Sequence, residues 1–160
     1  MQELLSLLEK NSKYEPTDLA DLLSMSEQTV TEQIKSYEKR GIIAGYHTII
    51  NWDKADIEIS KAIIFVNCMP EREAGYDKIA GRLARYPEVE SLYLISGKAE
   101  FLLEVKGNTM KDISDFLSRK LAPTEGVTGT ETMFVLKEYK RDGMIFTDEP
   151  EDGERLIVTP

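Results

Sequence analysis

Cysteine and histidine each occur once in this 160-residue chain, as Cys68 and His47. A lone cysteine makes no internal disulfide, and a lone histidine leaves no basis for a histidine-held metal site. Long apolar runs are missing as well. The stretch at 62–66 falls far short of the ~20 residues that a membrane helix requires. The N-terminus carries Glu3 inside its first apolar stretch and shows no small-residue cleavage motif, so no secretory leader is expected. Basic residues are outnumbered, 20 Lys and Arg against 29 Asp and Glu, for a net charge of −9. A chain of that balance is not held on nucleic acid or anionic lipid by bulk charge, although a local reading surface remains open to it. These absences lead to the expectation of a cytoplasmic protein with no membrane segment, no cofactor and no metal.

Hydrophobic residues make up 41% of the chain, which excludes a disordered acidic tail and suffices for the cores of one or two small domains. Charge divides the sequence. Residues 1–60 carry six basic and eleven acidic side chains, residues 61–141 thirteen and twelve, and residues 142–160 one and six. The expected organisation is a helical module at 1–50, a polar hinge at 51–58, an α/β module at 59–141 and a solvated acidic extension at 142–160. In that extension, 156–158 is a short apolar end. The carboxylates at 149–152 read as solvated rather than as a cation site.

Three helices are expected before residue 42. Leu4, Leu5 and Leu8 form the face of the first. Pro16 and Thr17 open the second, with Thr17 as cap and Leu19, Ala20, Leu22 and Leu23 as its stripe. Ser26 caps the third, whose inward residues Val30, Ile34 and Tyr37 fall at helical spacing, and Gly41 stops it. The β-prone run at 42–50 fits a wing-like strand or a linker. Beyond the hinge the pattern alternates: strand 59–69, helix 71–86, strand 88–96, a Gly97-Lys98 turn, strand 99–106, helix 109–121 opened by a Thr109/Asp112 capping box, and strand 127–139. The inward stripes are Tyr76, Ile79, Ala80 and Leu83 on the first of these helices, and Met110, Ile113, Phe116, Leu117 and Leu121 on the second. This β-α-β-β-α-β order is that of the ferredoxin-like split unit.

Two helices cover one face of a four-stranded sheet. In the first strand Ala62, Ile64, Val66 and Cys68 alternate with Ile59, Ile63, Phe65 and Met69. In the second, Val89, Tyr93 and Ile95 oppose Leu92 and Leu94. Both faces are therefore apolar. Leaving one wet forgoes about 1.5–3 kcal/mol for each large side chain, so a second copy packed sheet to sheet is the expected cover.

Residues 17–37 fit a helix-turn-helix whose second helix enters the major groove, and they equally fit a plain three-helix bundle with a polar face. In the first reading Gln28, Thr31, Glu32 and Lys35 face outward, flanked by Thr29 and Gln33, with Ser26 at the helix start. Gln and Thr pair with base edges, while Lys35, Lys39 and Arg40 meet phosphate. Residue identity separates the two. Leu19, Ala20, Leu23, Ser26, Thr29, Val30, Ile34, Gly41, Ile43, Gly45 and Tyr46 closely resemble, at the same spacing, the DNA-binding module of the Lrp/AsnC (feast/famine) transcription regulators. The segment 91–105 and the last-strand phrase Thr130-Glu131-Thr132 with Val135-Leu136 are similar to that family's ligand-sensing domain. The likeness covers about residues 1–140, with both halves in the family's order.

The resemblance implies an α+β protein: an N-terminal winged helix-turn-helix followed by a C-terminal ferredoxin-like βαββαβ (RAM-type) ligand-sensing domain. It implies double-stranded DNA as partner, a homodimer that assembles further into tetramers or octamers, and an amino-acid effector bound between dimers. The implied effector residues are Ser96, Gly97, Lys98, Ala99, Glu100, Thr130 and Thr132. Lys98 offers a cation to a carboxylate, and Glu100 an acid to an ammonium group; an ordinary hairpin turn with exposed charges is the plain alternative. Several positions depart from the family, among them Lys98 and Glu100 in the sensing turn, Glu100 standing where Asp is usual. Ser24 stands where Gly is usual, Gln33 where Arg is usual, and Ala99 removes an aromatic wall. Residues 26–41 hold Lys35, Lys39 and Arg40 against Glu27, Glu32 and Glu38. That balance leaves open an interaction adaptor with degenerate DNA binding. An enzyme on such a sheet lacks an acid/base constellation and leaves the helical module unexplained. Cys68 reads as a small hydrophobe, Trp52 as packing between modules, and His47 as solvated or packed.

Overall fold

The structure is a computed structural model that describes residues 2–70 and 75–147. The chain divides into two compact units, the first ending at Thr48 and the second beginning at Ile49.

The first unit holds α1 (Gln2–Lys10), α2 (Pro16–Leu23) and α3 (Glu27–Lys39). Leu4 and Leu8, one turn apart, meet Leu19, Ala20, Val30 and Tyr37 in one core, with Leu5, Leu23, Ile34 and Ile43 against it. The start of α2 corrects an expectation. Glu15 is the N-cap residue and Pro16 lies in the first turn, so Thr17 is already helical and caps nothing. Proline lacks the N–H that the first turn leaves unpaired, and its fixed φ suits the helix, so the helix starts ahead of Thr17. Leu22 is a second correction: it is 59% exposed, rotated about 100° from the centre of the Leu19–Ala20–Leu23 stripe. Ser24 ends α2 in the left-handed region (φ 52°), donating its N–H to the carbonyls of Ala20 and Asp21. Gly41, with φ of 68°, breaks the chain away after α3. Of the two readings of 42–50, the linker is found; the segment contains no strand.

In the second unit, β1 (Ser60–Cys68), α4 (Asp77–Leu83), β2 (Val89–Leu94), β3 (Phe101–Gly107), α5 (Met110–Phe116) and β4 (Val127–Phe134) form an antiparallel sheet in the order β2-β3-β1-β4. This is the ferredoxin-like arrangement. The core lies between sheet and helices: Ala62, Ile64, Val66, Phe101, Leu103 and Val105 from the strands meet Ile79, Leu83, Ile113, Phe116 and Leu121. Tyr76 stands edge-on to Phe101, and Tyr86 edge-on to Phe116. The capping box opens α5 as expected, with Thr109 and Asp112 exchanging side-chain to main-chain hydrogen bonds.

Several boundaries differ from the sequence reading. The helix expected over 71–86 is formed at Asp77–Leu83, and 71–74 lie outside the described residues. The helix expected to 121 widens into a π turn at Leu117–Leu121, where the Ser118 hydroxyl donates to the Ser114 carbonyl. Met110, in the first turn of α5, is 53% exposed and no part of its stripe. In β2 the pairing with β3 shifts between Val89 and Ser91, so Val89 pairs with Val105 and faces the core together with Leu92, not opposite it. The last strand stops at Phe134 instead of 139. A hairpin of β5 (Lys140–Arg141) and β6 (Met144–Ile145) follows, turning through Asp142 and Gly143, both at positive φ. The first part of the expected solvated extension is thus folded, while 149–152 and 156–158 lie outside the described residues.

Residues 51–58, read as a hinge, are turns attached to the second unit. Lys106 lies 4.6 Å over the Trp52 ring, a cation–π contact within the second unit. Asn51 donates to the Phe146 carbonyl, and Arg141 to the Ile50 carbonyl. Glu138 accepts from both Lys61 and Arg141 at 2.9 Å. No helix among the described residues is long and apolar enough to cross a membrane.

Candidate nucleic-acid and effector sites

The first site is the outer face of α3. Ser26 fixes its start: the hydroxyl accepts from the Thr29 N–H at 3.1 Å and shares a 2.7 Å hydrogen bond with the Thr29 hydroxyl. Ser26 thus has the capping role expected of it, and Thr29, expected on the flank of the outward face, is engaged with the cap. Gln28, Glu32 and Lys35 are exposed, whereas Thr31 and Gln33 are half-buried. Gln28 and Glu32, one turn apart, are joined by a 2.9 Å hydrogen bond from the amide Nε2 to the carboxylate Oε1. Lys39 and Arg40 are exposed at the other end of the helix, about 15–18 Å along its axis from Gln28. The helix thus presents an exposed polar segment and a separate cationic end. Beyond it, the Tyr46 hydroxyl donates to Glu38 at 3.0 Å, tying the linker back to the helix. Burial, that hydrogen bond and the Glu38 charge all push the Tyr46 hydroxyl up from its ordinary pKa. Nothing in the sequence pattern flagged the Gln28–Glu32 or Tyr46–Glu38 pairs beyond the i, i+4 spacing of the first.

The second site is the turn between β2 and β3. Ser96, Gly97 and Lys98 are exposed, Ala99 is buried and Glu100 half-buried. Gly97 has φ of 151°, outside the range that side chains adopt readily, yet a Cβ there would meet nothing within 4 Å. Glu100 is already engaged: its Oε2 accepts from the Cys68 N–H at 2.9 Å. Burial and, after it, the Glu100 charge push the Cys68 thiol up from its ordinary pKa. Thr130 and Thr132 sit on β4, across β1 from the turn. Val66 pairs with Phe101 on one side and Thr130 on the other, which separates the two sets by about 10 Å, two strand spacings. Thr132 pairs with Ile64, and its hydroxyl is buried without a hydrogen-bond partner among the described residues. The structure brings 96–100 together at one end of the sheet and leaves the two threonines apart from them. Among the described residues no group of three or more His, Cys, Asp or Glu is placed to hold a metal ion.

The third surface is the sheet face away from the helices. Ile63 and Phe65 of β1 pair across to Met133 and Glu131 of β4, and Phe65 pairs with Leu102 of β3, itself opposite Tyr93. Tyr93 is 51% and Met133 48% exposed. Lys61, Glu90 and Lys106 form a charged rim, with Glu90 between the two lysines at 4.0 and 3.6 Å. An apolar centre with a paired polar edge has the anatomy of a protein–protein interface.

Comparison with known proteins agrees with this division. Residues 2–44 match the winged helix-turn-helix DNA-binding family, and residues 61–145 match the Lrp/AsnC ligand binding domain. The uncharacterised HTH-type transcriptional regulator YugG of Bacillus subtilis is 36% identical over 99% of this chain and 95% of its own length. The crystal structure of a transcriptional regulator of Neisseria meningitidis in complex with L-Met is 25% identical, with a TM-score of 0.67 over 86% of this chain and 88% of that one. The leucine response regulatory protein LrpA of Mycobacterium tuberculosis shares the fold, with a TM-score of 0.71 at 24% identity over 90% and 95% of the two chains.

Proposed function

Since the chain belongs to the Lrp/AsnC family of transcriptional regulators, we propose that it binds operator DNA through α3 and changes its regulatory state when an amino acid binds its C-terminal domain. The observation that carries this reading is the joint presence, in one chain and in the family's order, of a DNA-binding helix-turn-helix and a ligand-binding domain. The Neisseria relative, which holds L-Met, supports amino acids as the effector class.

In this reading Gln28, Thr31, Glu32, Gln33 and Lys35 face the major groove. Ser26 and Thr29 hold the start of the helix, and Lys39 and Arg40 meet phosphate. Residues 26–41 carry no net charge, so one head alone grips DNA weakly, and avidity from a paired chain supplies the rest. The Ile63–Phe65–Met133 face joins two copies and sets their α3 helices about 34 Å apart, or a multiple of that. Dimers stack further into tetramers or octamers. The effector lies at the Ser96–Gly97–Lys98 turn, with Ala99 and Glu100 beneath it, and Thr130 and Thr132 complete the site only from the far side of β1. The protein acts in the cytoplasm, without a catalytic step. A second reading, an interaction adaptor, rests on the charge balance of α3.

An electrophoretic mobility shift with the gene's own upstream region, with and without each of the twenty amino acids, tests the proposal. Retardation that one amino acid alters is the expected result. No retardation at any protein concentration favours the adaptor and overturns the regulator. Gly97→Val refines the effector assignment: its β-branched side chain resists the observed φ while meeting no neighbour, so the fold is kept and the amino-acid response is lost. A Gly97→Val protein with an unchanged response moves the effector away from this turn.

A further inference from the structure

Three carboxylates lie on or beside the reading helix, and two have evident structural roles. Glu27 occupies the first turn of α3, where a negative charge complements the helix dipole, and Glu38 accepts the Tyr46 hydroxyl. Glu32 is different. It is exposed, in the middle of the helix, with Oε1 accepting from Gln28 Nε2 at 2.9 Å and no further partner for Oε2 among the described residues. A carboxylate there lies between two rows of phosphates in any DNA complex of this helix, and repulsion weakens every complex in which no base donor meets it.

We propose that Glu32 is a specificity determinant that accepts a hydrogen bond from the exocyclic N4 amino group of a cytosine in the major groove, and that Gln28 is the positioning residue that holds it there. This deepens the reading of α3 as the DNA-binding helix and rests on it. Cytosine follows from the donor–acceptor code. A carboxylate only accepts, which rejects the O6 and N7 acceptors of guanine and the O4 of thymine. Adenine offers an amino group, but its N7 acceptor stands beside it and repels the second carboxylate oxygen, whereas cytosine presents the amino group alone. The Gln28 amide spends one of its N–H donors on Glu32, which fixes the carboxylate rotamer before DNA arrives and makes this turn of the helix rich in acceptors. A site lacking the cytosine leaves a desolvated, unpaired charge, so Glu32 acts mainly by penalising wrong sequences.

The test is selection of duplexes from a randomised library by the full-length protein, for the wild type, Glu32→Ala, Glu32→Gln and Gln28→Ala. The wild type recovers sites with a fixed cytosine in each half-site, and replacing that base weakens binding by about five- to tenfold. Glu32→Ala loses the preference at that one position, keeps the others, and binds unselected DNA more tightly. Glu32→Gln shifts the preference toward adenine. Gln28→Ala retains the cytosine with a smaller ratio, as removal of a positioning residue demands. A Glu32→Ala consensus identical to the wild type, or a wild-type consensus with no fixed cytosine, overturns the proposal while leaving DNA binding intact. Failure of the wild type to enrich any sequence overturns the DNA-binding reading itself, and this proposal with it.

Discussion

Glu100, at the head of β3, accepts through its carboxylate the main-chain N–H of Cys68, where β1 leaves its regular pairing with β4. The register with β4 shifts between Asn67 and Cys68, and the glutamate supplies the acceptor at that point. The residue beneath the candidate effector turn is therefore also a strut of the sheet. Glu100→Ala leaves a half-buried donor unpaired and lowers stability by about 1–3 kcal/mol, read as a reduced urea midpoint at unchanged m. Glu100→Gln keeps an acceptor of the same reach and recovers most of the loss. Equal losses in the two variants would show that the hydrogen bond contributes nothing.

Ser24 occupies a left-handed conformation (φ 52°, ψ 44°) between α2 and α3, where a Cβ crowds the following carbonyl. Ser24→Gly relieves that crowding at a small entropic cost, for a net gain of about 0.5–1 kcal/mol. Ser24→Val at the same site loses more than it gains. Thermal unfolding of the pair brackets the wild type, Gly above and Val below; the reverse order would mean that the turn relaxes on substitution.

The departure of Ser24 from glycine is legible only through the resemblance to the Lrp/AsnC family, which usually has Gly in that turn; helix periodicity on both sides shows only where the turn falls. Helical periodicity locates the three-helix core, while the β-α-β-β-α-β order of elements, not alternation within strands that are apolar on both faces, points to the sheet arrangement. Local chemistry that competes with periodicity was less legible. The bulge before Ser91 turns Val89 to the core, and an alternation rule run through Glu90 assigns it to the wrong side. The π turn at Leu117–Leu121 keeps Leu121 buried, so the stripe looks unbroken from sequence. The β5–β6 hairpin is masked in the sequence, although Asp142-Gly143 is a strong two-residue turn signal, because the acidic residues after it dominate the composition. Pairing among side chains, such as Gln28 with Glu32, is invisible to composition beyond its i, i+4 spacing.

Glu88, just ahead of β2, bonds to the Lys120 ammonium in the π turn. Burial pushes its carboxyl up, but the Lys120 hydrogen bond, a main-chain hydrogen bond and the Lys120 charge outweigh it and leave the pKa below its ordinary value near 4.5. A depressed carboxylate contributes stability that is fully present above its unfolded pKa and lost as pH falls through the folded one. The wild type is therefore more stable than Glu88→Gln at pH 7, by about 1 kcal/mol or less because Lys120 is 46% exposed. That margin closes as pH falls below about 4.5. Denaturant midpoints of both proteins from pH 7 to pH 3 measure it, and a margin independent of pH would rule the pair out as a source of acid sensitivity.

Ile64 and Phe65 are neighbours on β1 that serve opposite surfaces. Ile64 has no exposure and lies in the core beneath the helices, so Ile64→Asp buries an unpaired charge, costs more than about 4 kcal/mol, and unfolds the second unit. Phe65 faces away from the helices, half-buried in one chain and directly opposite Glu131 of β4. In Phe65→Lys the new ammonium pairs across the strands with Glu131, so the folded chain tolerates it. A second sheet packed on that face does not tolerate it, since the charge would be desolvated in the middle of an apolar contact. Sedimentation should thus find Phe65→Lys folded by circular dichroism but monomeric, and its DNA affinity should fall with the loss of the second head. A Phe65→Lys protein that sediments like the wild type would place the subunit contact elsewhere and leave the Ile63–Phe65–Met133 face to some other partner.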